Sequence, residues 1–352
     1  MATSNRPIAL DRYVYEEIYP AFKATTDEKE ITAKINRRFL NYLAERNLVL
    51  TGSNPLAVAD IGCGPCDTLV KYLTGVRFAP GFIVRATDYI PEYADVERGE
   101  AFQTLKRAQA QNTIKIANFS TRAGNAFAGK LVNLLSPPED KAVAPRGFCI
   151  AFASHLMYHA ESSKDVERLV EDVAHHVLDR GGVCMLYHVA NTPGTFQEFR
   201  ARFGSQAGAQ RESDTGAVTI DDPPAQIASA CRTISLPLYQ TEFITRLKFG
   251  PLLDEEWQAF KNPEHYDLLA DENPMAYEDL KRLYFVIQRA PLEFGADHSE
   301  TGLAVFIDQI RRVIEANQGA LLSAECMQVF SRVDAIPALA REIPDALATA
   351  IA

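Results

Sequence analysis

The chain has 352 residues, of which 47% are hydrophobic and 23% charged, with a formal net charge of −10. This is the composition of a soluble globular protein, long enough for one large domain or two modest ones. The acidic balance argues against a nucleic-acid partner, which needs a basic face, and no apolar run is long enough to span a bilayer.

The N-terminus, MATSNRPIALDRYVYEE, lacks the apolar core of a secretory signal. The six cysteines, at 63, 66, 149, 184, 231 and 326, are scattered in a way that suits a reducing compartment better than a disulfide scaffold. A cytoplasmic location is therefore expected.

In chain order, residues 8–47 read as helical. Ile31, Ile35, Phe39 and Leu43 recur every four residues, and Thr25, Thr26 or Asp27 can serve as N-cap. The break TGSNP precedes a buried-strand candidate, LAVADI. A helix (CDTLVKYL), a strand (GFIVRATDY), a second helix (EYADVERGEAFQTLKRAQAQ) and a short strand (TIKIANF) follow. The apolar strand GFCIAFAS leads into the helix SKDVERLVEDVAHHVL, which Arg180-Gly181-Gly182 is expected to close, and then the strand VCMLYHV. Such alternation predicts an α/β fold with a parallel sheet covered on both faces.

Beyond residue 192 the rhythm is lost. The polar, glycine-rich stretch 204–226 reads as a mobile loop, TISLPLYQTEFITRLKF as two strands, and 253–318 as helices. A last strand, LLSAECMQVF, precedes a tail helix, PALAREIPDALATAIA. Three parts are expected: an N-terminal helical cap over 1–50, a cofactor-binding core over 51–192, and a C-terminal substrate-recognition region over 193–352.

The stretch DIGCGPCDTL has two readings. Cys63-Gly64-Pro65-Cys66 has the spacing of a dithiol redox centre, whereas Asp60, Gly62 and Gly64 form a glycine-rich turn after a strand. Redox chemistry has no need of the bracketing glycines, while a ligand approaching the backbone at a helix start does. Asp88, at the end of the next strand, stands where an acid commonly binds ribose hydroxyls. An ordinary strand–turn–helix link is the bland alternative.

The third glycine of the dinucleotide fingerprint is absent. VADIGCGPCD instead resembles the first motif of class I S-adenosylmethionine-dependent methyltransferases, with Cys66 where many members have a further glycine. Asp88-Tyr89 resembles their acidic second motif, Gly124-Asn125-Ala126 the loop that touches adenine, and FCIAFASHLMYHAESSKDVERLVEDVAHHVLDRGG the fourth strand and following helix. This implies a Rossmann-like class I methyltransferase fold, with a mostly parallel seven-stranded sheet, N-terminal helices and a C-terminal substrate-binding insertion. Within that superfamily the chain is most similar to the histamine N-methyltransferases, through RYVYEEIYPAFKATTDEKE, HLMYHAESSKDVERLV and GTFQEFRARFG.

The resemblance implies S-adenosylmethionine as cofactor, with S-adenosylhomocysteine as product. Asp60, Gly62 and Gly64 would line its methionine part, Asp88 would take the ribose with Tyr89 and Tyr93 nearby, Asn125 and Ala126 would flank the adenine, and Ser154 would close the strand end. On the substrate side it implies Glu28, His155, Tyr158, His159, Phe196, Arg200 and Glu325. Several of these depart from the family's own residues, so the cofactor half is kept while the substrate half is rewritten.

Methyl transfer from a sulfonium is an in-line displacement that needs an unprotonated nucleophile, and it requires no metal. Glu28 or Glu325 is expected to orient a cationic or imidazole-like substrate, with His155 or His159 accepting the proton. Each has a structural alternative: a satisfied histidine at a strand end, or an acid placed in a helix's first turn by the dipole. The expected partner is a small molecule rather than nucleic acid or membrane, with the chain a monomer or homodimer. O-methylation, a non-catalytic cofactor-binding module and a thiol oxidoreductase stay open.

Overall fold

The structure, a computed structural model, describes residues 19–48, 55–77, 80–136, 147–190, 192–195, 222–261, 270–287 and 300–352. Two helices open it, α1 (Tyr19–Thr25) and α2 (Glu28–Glu45). Between them Thr26 forms an isolated antiparallel bridge with Leu247, and its hydroxyl accepts the Glu28 N–H. Thr26 thus caps α2 and breaks the single helix expected over 8–47, whose first residues lie outside the described ones.

Next come β1 (Leu56–Ile61), α3 (Asp67–Leu73), β2 (Phe82–Asp88), α4 (Pro91–Ala94), α5 (Glu100–Ala110) and β3 (Ile116–Ala123). The expected helix over EYADVERGEAFQTLKRAQAQ is two, because Asp95 N–H closes α4 on Pro91 O and a fresh turn starts at Gly99. A 3-10 turn (Ala126–Ala128) and α6 (Leu131–Leu135) precede β4 (Phe148–Ser154). After β4 come a 3-10 turn (Met157–His159), α7 (Ser163–Asp172) and a π-helical turn (Val173–Val177) that runs directly into β5 (Leu178–Val189). Arg180-Gly181-Gly182 therefore does not end a helix. It belongs to β5, where the pairing with β4 shifts register between Phe148 and Ile150.

The remaining elements are α8 (Pro223–Thr233), β6 (Tyr239–Lys248), α9 (Asp254–Ala259), α10 (Pro274–Ile287), α11 (Glu300–Ala316), β7 (Ala320–Ser331) and α12 (Pro337–Ile351). The two strands expected in TISLPLYQTEFITRLKF are one, preceded by α8, whose first turn is capped by the Asp222 carboxylate on Ala225 N–H. Of the expected mobile loop, 204–221 lie outside the described residues and Pro223–Gln226 are helical.

The seven strands lie in the order β3-β2-β1-β4-β5-β7-β6. β1, β2, β3, β4 and β5 pair in parallel, and β7 joins β5 antiparallel. This is the α/β, Rossmann-like fold expected, with its mostly parallel seven-stranded sheet. β1 is buried along its whole length, as a central parallel strand covered on both faces must be. Successive crossovers reverse between β1 and β4, so a crevice opens at their carboxyl ends, the usual ligand position in such sheets.

By internal contacts the chain divides into two compact units rather than three consecutive parts. The larger comprises Lys29–Ala190, Val218–Phe243 and Glu325–Ala352. On one sheet face, Ile35, Phe39, Leu40 and Leu43 of α2 join Leu69, Tyr72 and Leu73 of α3 and Leu339 and Ile343 of α12 over Val58, Phe152, Met185 and Val329. On the other, α7 and α8 supply Val166, Leu169, Val170 and Ile227 over Ala59, Ala151, Leu186 and Phe330.

The smaller unit comprises Met1–Glu28, Asn191–Ala217 and Ile244–Ala324. In it α1 packs on α10. Trp257 is buried in α9 edge-on to Phe260, with the Arg311 guanidinium 5.8 Å from its ring centroid. Among the described residues no helix is long and apolar enough to cross a membrane.

Leu40 is fully buried where α2 meets the sheet face, whereas Lys34 on the same helix is exposed. Leu40→Ala should cost about 2–5 kcal/mol of stability in urea unfolding, and Lys34→Ala should stay within about 0.5 kcal/mol of the parent.

Candidate functional site

The crevice is built from the turn after β1. Gly62 (φ +71°), Gly64 (φ +49°) and Cys66 (φ +62°) all take left-handed backbone, which glycine adopts freely and cysteine only under restraint. Gly62 N–H and Cys63 N–H both donate to Thr87 O, at 2.8 and 3.0 Å, and Cys66 N–H donates back to Cys63 O at 2.9 Å. The two glycines have different reasons. A Cβ on Gly62 would meet Leu156 Cδ1 at 2.7 Å, so the position admits no side chain. A Cβ on Gly64 would meet nothing within 4 Å, so that face of the turn is open.

Asp88, half-buried at the tip of β2, organises the neighbouring turns. Its Oδ2 accepts Gly64 N–H at 2.8 Å, its Oδ1 accepts Ile90 N–H at 2.9 Å, and its backbone oxygen accepts Gly124 N–H at 2.8 Å. One residue thereby fixes the turns after β1, β2 and β3. Tyr93 hydroxyl ionisation is pushed up by burial and by the charges of Glu100, Asp88 and Glu92. Tyr89, by contrast, is 75% exposed. Asn125 is exposed and caps the 3-10 turn, its Oδ1 accepting Phe127 N–H at 2.8 Å. Ala126 is buried within that turn.

Asp60 lies inside the sheet end, and Cys66 Sγ donates to its Oδ2 at 3.7 Å. Burial raises its pKa from the ordinary 3.8 to about 7; the Cys66 hydrogen bond and Lys29 oppose that rise, while Asp88 adds to it.

Beneath the tips of β4 and β5 runs a buried polar chain. Ser154 Oγ and Tyr72 Oη share a hydrogen at 3.1 Å, the Tyr72 and Tyr187 rings pack 5.2 Å apart, Tyr187 Oη donates to Asn36 Oδ1 at 3.1 Å, and Asn36 Nδ2 donates to Tyr72 O at 3.2 Å. Asn36, Tyr72 and Tyr187 were not among the residues singled out from the sequence. The signal for Asn36 was there: with Thr32 it is an amide and a hydroxyl inside the buried stripe of α2. The tyrosines carried none, since an aromatic in a helix or strand reads as core.

His155 follows Ser154 with φ +56°, and its N–H donates to Tyr187 O at 2.8 Å. A ring nitrogen of His155 and a carboxylate oxygen of Glu325 come within 4.8 Å. Glu325 is buried at the start of the β7 segment that pairs with β5, opposite Val189. His188 is fully buried opposite Cys326; burial, and then the charge of His155, keeps its imidazole neutral well below the usual range.

Of the remaining expected residues, His159 and Glu28 are described. His159 is exposed at the end of the 3-10 turn, three residues from Leu156, whose oxygen its N–H contacts at 3.0 Å. Glu28 is buried as the first residue of α2 and belongs to the smaller unit. Phe196, Arg200 and the side chain of Tyr158 lie outside the described residues.

No family model matches the chain and no curated protein matches it, so the resemblance to histamine N-methyltransferases gains no support from sequence comparison. Solved structures to which it is similar include loganic acid methyltransferase with S-adenosylhomocysteine, at 10% identity over 94% of this chain and 98% of that one, with a TM-score of 0.46. Magnesium protoporphyrin IX methyltransferase from Synechocystis PCC 6803, with the same ligand bound, is 12% identical over 67% and 90%, at 0.38. A cyclopropane-fatty-acyl-phospholipid synthase-like protein from Lactobacillus casei is 12% identical over 91% and 99%, at 0.40.

Because Asp60 ionises near 4 in the unfolded chain and near 7 when folded, the folded chain holds an extra proton between those values. The stability this confers is full below pH 4 and is lost as pH rises through 7. The advantage of Asp60→Asn over the parent should therefore grow by about 2 kcal/mol between pH 5 and 8, read from urea unfolding at each pH. A gap that stays constant would contradict a protonated Asp60.

Proposed function

We propose that the chain is an S-adenosylmethionine-dependent methyltransferase acting on a small molecule, by N-methylation of an amine, imidazole or amino-acid-like acceptor. The observation that carries the cofactor reading is the turn at Gly64. Its N–H is held on the Asp88 carboxylate while the space its Cβ would fill is open. A ligand can approach that backbone closely, and an acid stands beside it. Each Asp88 oxygen accepts one backbone N–H and keeps acceptor capacity for ribose hydroxyls. The residues present fit the group.

When bound, S-adenosylmethionine supplies a methyl group on a sulfonium sulfur for in-line displacement. In this reading Gly62, Gly64 and Asp60 line its methionine part, Asp88 holds the ribose with Tyr93 alongside, and Asn125 and Ala126 flank the adenine. Exposed Tyr89 covers the outer side. The Tyr72–Ser154 hydrogen bond fixes the Ser154 hydroxyl at the floor, with Asn36 and Tyr187 bracing Tyr72 from below.

An acceptor nitrogen has to shed a proton, and His155 is the base we assign. Its left-handed backbone, tied to Tyr187 O, sets where the ring starts, and Glu325 is close enough to orient the ring. Fully buried His188 is held neutral in the adjacent strand and serves as a wall rather than a base. The exposed His159 is the less suitable of the two histidines expected for proton transfer.

Two measurements test this. Titrating S-adenosylhomocysteine into the protein by calorimetry should give saturable binding, weakened at least about tenfold by Asp88→Ala; no heat from the unsubstituted chain would sink the reading. A mass screen of amines, imidazoles and amino acids should then find a methylated product. On that product His155→Gln should lower kcat about a hundredfold and change its pH profile. If kcat and profile are unchanged, the proton goes elsewhere.

A further inference from the structure

The dithiol in the turn is not used by methyl transfer, and its geometry is more specific than that of two incidental cysteines. Both side chains are thiols and both are buried, Cys63 with 7% of its surface exposed and Cys66 with none. The backbone bond from Cys66 N–H to Cys63 O closes a tight turn. Such a turn brings the two Cα atoms within about 7 Å, the span a disulfide bridges. Cys63 Sγ donates to Gly64 O at 3.3 Å, and Cys66 Sγ donates to Asp60 Oδ2 at 3.7 Å.

We infer that Cys63 and Cys66 form a reversible disulfide on exposure to a peroxide, and that this bridge weakens adenosyl-ligand binding at the Gly64 turn. The second half rests on the cofactor reading above; the first does not.

The two thiols have distinct parts. The neighbouring Cys66 thiol favours a thiolate at Cys63, although burial and the charges of Asp60 and Asp88 outweigh it and leave that thiol raised. Cys66 is raised much further, by the neighbouring Cys63 and by burial. Cys63 is also the one with surface that a small oxidant reaches. Cys63 therefore attacks first. A sulfur–oxygen bond forms, the peroxide O–O bond breaks, and one oxygen leaves as water. Above about pH 7, where Asp60 is a carboxylate, Cys66 gives it a proton and attacks the Cys63 sulfur, and the remaining oxygen leaves with that proton as a second water. Two thiols and one hydrogen peroxide thus give one disulfide and two waters. A dithiol reductant reverses the step by exchange.

Closing the bridge removes the Cys63 bond to Gly64 O and the Cys66 bond to Asp60. Gly64 lies between the bridged residues, so its N–H cannot keep the same aim at Asp88. The buried thiols of Cys184, Cys231 and Cys326, which burial holds well up, serve as internal controls.

The test uses the unsubstituted chain, treated with hydrogen peroxide, blocked with N-ethylmaleimide and mapped by peptide mass. The expected result is a peptide spanning 63–66 that has lost two hydrogens and takes no label, restored by dithiothreitol, with the three control cysteines still labelled. The bridge should be absent from Cys66→Ser, in which dimedone traps Cys63 instead. Asp60→Asn should slow closure severalfold. S-adenosylhomocysteine should bind the oxidised protein at least fivefold more weakly than the reduced. Full labelling of 63 and 66 after peroxide, a bridge to another cysteine, or equal affinity in the two states would overturn the inference. Failure of the reduced protein to bind at all would instead count against the cofactor reading, with the bridge judged by mass alone.

Discussion

One hydrogen bond, from Gly64 N–H to the Asp88 carboxylate, sets the working end of the sheet. A parallel sheet buried on both faces leaves the polar ends of its strands nowhere to go except into the turns beyond them. Asp88 receives them: its carboxylate takes the turns after β1 and β2, and its backbone oxygen takes the turn after β3. The left-handed residues of the Gly62–Cys66 turn are tolerated because this scaffold over-determines them. Remove the carboxylate and the turns after β1 and β2 lose their common anchor at once.

Charge at this end is balanced rather than neutralised. Asp60 and Asp88 repel one another across the turn, and burial leaves Asp60 as the one that keeps its proton. A protonated Asp60 spares this small space the repulsion of two carboxylates. Lys29 enters from α2 as the opposing charge, so the helix that closes the sheet face also tunes the site's acidity.

The fold was legible because its signals were local and repeated. Apolar runs such as LAVADI and FCIAFAS could only be buried strands, and glycine turns marked their ends. The errors came where packing overrode a familiar sign. Gly181-Gly182 reads as a helix stop, yet it is the start of β5, because the preceding helix ends in a π-turn that delivers the chain straight into the sheet. Within the site, Asp60, Gly62, Gly64 and Asp88 were visible as a spaced motif. Tyr72 and Tyr187 were not, since their partners lie across the fold and no sequence spacing encodes them; Asn36 showed only as an amide inside the buried stripe of α2. The gathering of His155 with Glu325 was likewise beyond spacing, depending on β7 inserting next to β5.

That insertion has a consequence for how the chain acquires its site. β5 is finished by residue 189, but the neighbour that completes it, β7, supplies its first paired residue only at Glu325. Asn36 meets Tyr187 across 151 residues and Arg38 meets Ala350 across 312. Closures of that length carry a large entropy cost before they gain anything, and topologies rich in them fold slowly. On a ribosome, the glycine turn and its Asp88 anchor can form while most of the C-terminal half is still unmade, whereas the wall holding Glu325 beside His155 must wait for nearly the whole chain. The Gly64 turn is therefore early-formed and the His155–Glu325 pair late, an order of assembly written into the strand order of the sheet.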